Sequence, residues 1–202
     1  MNLTKPRHMS DLFKNKYRIP SNWLCGWDYA HTGHYYITIV TYDRIPYFGH
    51  IQDGEMVLNE MGQIVFDEFF KSIEIRSELF LGAFVLMPNH IHAIVILVNP
   101  EQNDNHVETH GRASLQPPKS NILQPFHRQP KSISSFVAGF KSATIKRIDD
   151  WIDENNMPLE KFNSNNPLWQ SNYHDHIIRN EIEYRDIAQY IADNPKYEDD
   201  DP

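Results

Sequence analysis

Phe84-Val85-Leu86-Met87-Pro88-Asn89-His90-Ile91-His92-Ala93-Ile94-Val95-Ile96-Leu97 is the stretch on which the fold turns. Two apolar runs of strand length flank a Pro-Asn turn, and the second opens with His-Ile-His. Side chains on a strand alternate between faces, so His90 and His92 share one face and Ile91 takes the other. Two imidazoles side by side on a fixed sheet are close enough to hold one divalent ion. The plainer alternative is a pair of hydrogen-bonded histidines at the start of a strand. Because the apolar residues of Leu79 to Leu86 and of His90 to Leu97 are nearly continuous, both strands are expected at the centre of an antiparallel sheet.

Working outward, Tyr35-Tyr36-Ile37-Thr38-Ile39-Val40-Thr41-Tyr42 is rich in β-branched and aromatic residues and reads as a first strand beginning at His34. Asp53-Gly54 signals a hairpin turn. Met61, Ile64, Val65, Phe69 and Ile73 recur at helical spacing within Leu58 to Ser77. A second helical stripe follows Ser132, built from Ile133, Phe136, Val137, Phe140, Thr144 and Ile148. Lys141, Lys146 and Arg147 lie mostly off it, as a wet face or as phosphate contacts. Near the end, His174 to Ile178 reads as a short strand. Asn180 then caps a helix, with Glu183 completing a capping box, and the helix stops near Asp193, before Asn194-Pro195. Tyr190 and Asn194 are four residues apart and so share one helical face.

The chain has 202 residues, enough for one domain with an appendage and a buried core. The expected organisation is an N-terminal extension (1–33), one domain (34–195) interrupted by a flexible Asn-, Gln-, Pro- and His-rich insertion (99–130), and an acidic tail (196–202). Trp23 and Trp27 are expected to pack from the extension onto the domain. No apolar run reaches the length of a membrane span, Met1 to Asn15 lacks a signal-peptide core, and Cys25 is the single cysteine. A cytoplasmic protein without a disulfide framework or membrane association is expected. The net charge of −8 weighs against a nucleic-acid binder, but the tail run Glu198 to Asp201 supplies half of it.

The set Met87-Pro88-Asn89-His90-Ile91-His92, Trp169-Gln170, His176-Ile177-Ile178-Arg179-Asn180 and Tyr190-Ile191-Ala192-Asp193-Asn194-Pro195 resembles the insertion-sequence-200-like transposases. More closely, it resembles their domesticated branch, the REP-associated tyrosine transposases. These are single-tyrosine HUH endonucleases. The resemblance implies an α+β, ferredoxin-like antiparallel sheet with helices packed mainly on one face, in keeping with the element order read above. It implies Tyr190 as a nucleophile forming a 5′-phosphotyrosine link, and His90, His92 and Asn194 as ligands of Mg2+ or Mn2+. The implied partner is single-stranded DNA with hairpin structure. Mobile relatives work as dimers and domesticated ones can act as monomers, so a homodimer is allowed. His176, Arg44, Lys141 and Arg179 are the candidate DNA contacts.

Tyr173 and Tyr184 are rival tyrosines, and His174 with His176 is a rival histidine pair, disfavoured because Asp175 between them would turn a charge toward the core. Two further functions stay open beside strand transfer. One is a binding module that recognises folded single strands without turnover; the other is a metal hydrolase using only the histidines.

Overall fold

The computed structural model describes residues 31–99 and 129–197. The expected packing of Trp23 and Trp27 and nearly all of the expected insertion lie outside these residues. A four-stranded sheet forms from β1 (Gly33–Val40), β4 (Leu79–Leu86), β5 (His90–Leu97) and β6 (His174–Ile178) in the order β4-β5-β1-β6. Every neighbouring pair is antiparallel. A separate hairpin joins β2 (Gly49–Gln52) to β3 (Glu55–Leu58). Its turn residues Asp53 and Gly54 have φ of 55° and 75°, the left-handed pair that a two-residue turn requires.

Alternation along the strands separates two apolar layers. Tyr35, Ile37 and Ile39 of β1 and Ile91, Ala93, Val95 and Leu97 of β5 point to one face. Helices α1 (Glu60–Glu74) and α2 (Ile133–Glu154) cover that face with Val65, Phe69, Phe136 and Phe140. Asn59 caps α1 by accepting from the Gly62 amide at 2.8 Å, and Ser132 caps α2 in a capping box with Ser135. The opposite face carries Ile94 and Ile178, and α3 (Glu181–Asp193) lays Ile187 and Ile191 on them. Two of the three α-helices among the described residues therefore share a face, and the one bearing Tyr190 takes the other.

The expected central pair is half right. β5 lies between β4 and β1, whereas β4 is an edge strand. Its run is apolar because helices cover both of its faces: Phe84 meets α1, and Ala83 and Val85 belong to the layer under α3. A register shift between Leu81 and Ala83 leaves Gly82 as the extra residue. A Cβ there would stand 2.5 Å from the Tyr184 hydroxyl, so the glycine lets α3 approach the strand.

Phe69 is the hub of the larger layer, with ring centroids 4.6 Å from Phe84, 5.2 Å from Phe140 and 5.6 Å from Phe136. Replacing it leaves a cavity that three rings on two elements, β4 and α2, cannot close. Phe69→Ala is expected to lower unfolding free energy by about 3–5 kcal/mol in urea titrations. Phe70→Ala, at a ring 40% exposed, should cost less than half as much.

Candidate active site

The turn before β5 is held from two sides. The Phe48 amide donates to the Pro88 carbonyl at 3.0 Å, and the Thr41 amide and hydroxyl both donate to the Asn89 carbonyl, at 2.9 and 3.0 Å. Met87 closes the turn by donating to the His90 carbonyl at 2.8 Å. Trp169-Gln170 braces the end of β1 beside it. Trp169 forms a bridge with Thr41 and packs its ring on Phe48 and Phe140, while Gln170 donates to the Val40 carbonyl.

From this anchor His90 and His92 project toward α3, with ring centroids 4.6 Å apart. Register places Val85, His92, Thr38 and His174 in one row across the four strands. The Nδ1 of His92 lies 2.9 Å from the Tyr36 hydroxyl and 2.8 Å from the Thr38 hydroxyl, which leaves Nε2 on the far side of the ring. Tyr36 and Thr38 were not singled out from the sequence. Strand alternation puts them on one face, but nothing in the sequence gives the pairing of Thr38 with His92.

Helix α3 begins where Asn180 accepts from the Glu183 amide at 2.9 Å. The expected reciprocal arm of the capping box is redirected. The Glu183 carboxylate accepts from the Arg179 amide at 2.8 Å and pairs with His176 Nε2 at 2.6 Å. Thirteen residues on, the helix tightens into a short turn at Asn194–Lys196, with Pro195 preventing continuation. Tyr190 is half-buried, with its ring centroid 5.5 Å from that of His92. Asn194 is buried and its side chain hydrogen-bonds to His90.

The structure thus brings His90, His92, Tyr190 and Asn194 together. Arg44 is exposed and close enough to His90 to act on its charge. Asp43 and Arg44 are consecutive left-handed residues, with φ of 51° and 56°, each a strain of about 1–3 kcal/mol for a non-glycine residue. His176 and Arg179 sit at the junction of β6 and α3. Lys141 is set apart: its ammonium donates to the Gln170 and Asn172 carbonyls at 2.8 and 2.9 Å. Tyr184 lies six residues before Tyr190, about 9 Å back along the helix, with its ring against His34. The Tyr173 hydroxyl pairs with Ser134 at 3.1 Å. His174 is exposed, and Asp175 faces away from α3.

Among the described residues, no three His, Cys, Asp or Glu side chains group so as to hold a metal ion. The set here adds the Asn194 amide to two imidazoles. Both rings are kept neutral, as ligation requires. Burial and then the Arg44 charge push His90 down to about 4, against a hydrogen bond with Asn194 that works the other way. Burial, then His90 and His174, hold His92 well below its usual value. The donor set fits a divalent ion with positions left open for other ligands.

A protein of Haemophilus influenzae (strain ATCC 51907 / DSM 11121 / KW20 / Rd), described as uncharacterized, is 30% identical over 169 residues, spanning 84% of this chain and 83% of that one. The chain belongs to that protein's family. No protein-family model matches the chain. Among solved structures, a REP-associated tyrosine transposase bound to a REP hairpin is similar at a TM-score of 0.50 and 18% identity, over 85% of this chain and 72% of that one. The chain therefore has the fold of a REP-associated tyrosine transposase. A putative transposase from Deinococcus radiodurans aligns over 83% of this chain and 94% of its own at 18% identity, with a TM-score of 0.41, too loose a likeness to argue from. No helix among the described residues is long and apolar enough to cross a membrane.

The neutral histidines have a consequence for stability. The unfolded chain takes up their protons near pH 6.5, whereas folded His90 resists down to about 4. Stability is therefore lost as pH falls from about 6.5 toward 4, by up to about 1.4 kcal/mol per pH unit for each histidine. Thermal unfolding of the metal-free chain should show a falling Tm across that window, and His90→Asn should make the fall shallower, with His92 supplying the remainder. A Tm level down to pH 5 would contradict the assignment.

Proposed function

We propose that the chain nicks and rejoins single-stranded DNA at hairpin or palindromic sites, with Tyr190 as nucleophile. The observation that carries the reading is the meeting of Tyr190 with His92 and of Asn194 with His90, four residues apart at the end of α3 and two residues apart on β5. The transposase fold supports it, and the REP hairpin bound by the similar structure is the reason for taking a hairpin-forming strand as substrate. Such a substrate fits a cytoplasmic protein.

In this reading the Tyr190 phenol oxygen attacks a DNA phosphorus atom. A Tyr–O–P ester forms, the P–O3′ bond breaks, the phenol proton leaves and the 3′ oxygen takes up a proton. The ester retains the bond for rejoining by a later 3′-hydroxyl. His90, His92 and Asn194 would hold Mg2+ or Mn2+, and of the two Mn2+ accepts nitrogen ligands more readily. When bound, the ion supplies positive charge at the phosphate oxygen. The packing of Ile187 and Ile191 on Ile94 and Ile178 fixes α3, so the phenol is oriented before DNA arrives. Arg44 and Arg179 are exposed and offer charge to flanking phosphates, and His176, oriented by Glu183, offers a further polar contact. Lys141 contributes by shaping the loop whose carbonyls it holds.

A net charge of −8 favours a second reading, selective binding of folded single strands without turnover. Labelled oligonucleotides tiling the gene's flanks, incubated with Mn2+ and run on a denaturing gel, separate the two. The first reading expects a labelled band at protein mass that is absent in chelator and in Tyr190→Phe and persists in Tyr184→Phe. Cleavage that survives Tyr190→Phe would instead indicate a hydrolase built on the histidines. Binding without any such band would favour the second reading.

A further inference from the structure

We infer that Asn89 is a positioning residue that sets which nitrogen of His90 carries the proton, leaving Nε2, on the Asn194 side, with its lone pair for a metal ion. The inference rests on the reading of His90 as a ligand.

The orientation of the Asn89 amide is fixed by a group that can only accept. Its Nδ2 donates to the Arg44 carbonyl at 3.2 Å, so this end of the amide is the NH2 group. The other end is then the oxygen, and it stands 2.6 Å from His90 Nδ1. An amide oxygen has no proton to give, so the hydrogen bond exists only if Nδ1 carries one. A neutral imidazole has a single ring proton, and Nε2 is left with its lone pair. Neutral histidine in water favours the opposite arrangement, with the proton on Nε2, which blocks ligation through that nitrogen.

The relay starts in the strained turn. The Arg44 amide donates to the Thr41 carbonyl at 3.2 Å, and the Thr41 hydroxyl donates to the Ile45 and Asn89 carbonyls. The left-handed conformations of Asp43 and Arg44 are thereby held in place beside Asn89. The backbone links to Asn89 run through its carbonyl, so a substitution of the side chain leaves them intact.

The test uses the full 15N-labelled chain without metal. A long-range proton–nitrogen correlation spectrum reports which ring nitrogen is protonated, and His90 is assigned by the loss of its signals in His90→Gln. The wild type is expected to show the proton on Nδ1, and Asn89→Leu to move it to Nε2. Mn2+ affinity, read by water-proton relaxation, should fall 10- to 100-fold in Asn89→Leu. Asn89→Asp keeps an acceptor and should keep Nδ1–H and escape the 10- to 100-fold loss of affinity. A proton on Nε2 in the wild type would overturn the inference whatever the metal does, and this result does not depend on any variant folding. An Asn89→Leu chain that binds Mn2+ as tightly as wild type would also overturn it. Nδ1–H in a wild type that takes up no Mn2+ would uphold the hydrogen bond and overturn the metal reading of the site instead.

Discussion

Strand β5 is paired along both edges and covered on both faces, and the placement of His90 and His92 depends on that double constraint. Its odd-numbered residues from Ile91 to Leu97 enter the layer under α1 and α2. A slip of one residue would drive His90 and His92 into that layer and turn Ile91 and Ala93 toward α3. Burying two imidazoles there without partners would cost several kcal/mol, a large share of the stability of a marginally stable domain. The aromatic packing around Phe69 therefore fixes the histidine face as surely as any contact made by the histidines.

The second fixed element is α3. Ile187 and Ile191 seat it on Ile94 and Ile178, Gly82 lets Tyr184 lie against β4, and Pro195 turns the chain so that Asn194 closes over His90. Electrostatics and burial act together at this junction. The rings are dry enough to stay neutral, and the exposed Arg44 further discourages protonation of His90. An acidic chain can still present such a local charge.

Much of this was legible in the sequence. The bounds of β4 and β5 follow from two apolar runs and a Pro-Asn turn, the stripe from Ile133 to Ile148 is the buried face of α2, and Tyr190 and Asn194 share a face by spacing alone. What was not legible depends on pairing between distant segments. An apolar run covered on both faces looks the same at the edge of a sheet as at its centre, so the pattern points to the centre for β4, which lies at the edge. Tyr36 and Thr38 meet His92 through a register across more than fifty residues of chain, with no local signal. Glu183 lies three residues after Asn180, the spacing of a capping box, yet its carboxylate finds the Arg179 amide and His176. Asn89 was visible as a turn residue, and only the Arg44 carbonyl gives it a second role.

The central claim is that these side chains form one site whose nucleophile is Tyr190. Its most direct test is mass spectrometry of the protein after incubation with a cleavable hairpin oligonucleotide and Mn2+, followed by nuclease trimming and peptide mapping. The account predicts a nucleotide phosphate ester on the tyrosine of the peptide that contains Tyr190. A modified peptide carrying Tyr184, Tyr173 or Tyr36 instead, or cleaved DNA with no ester on any peptide, would contradict it.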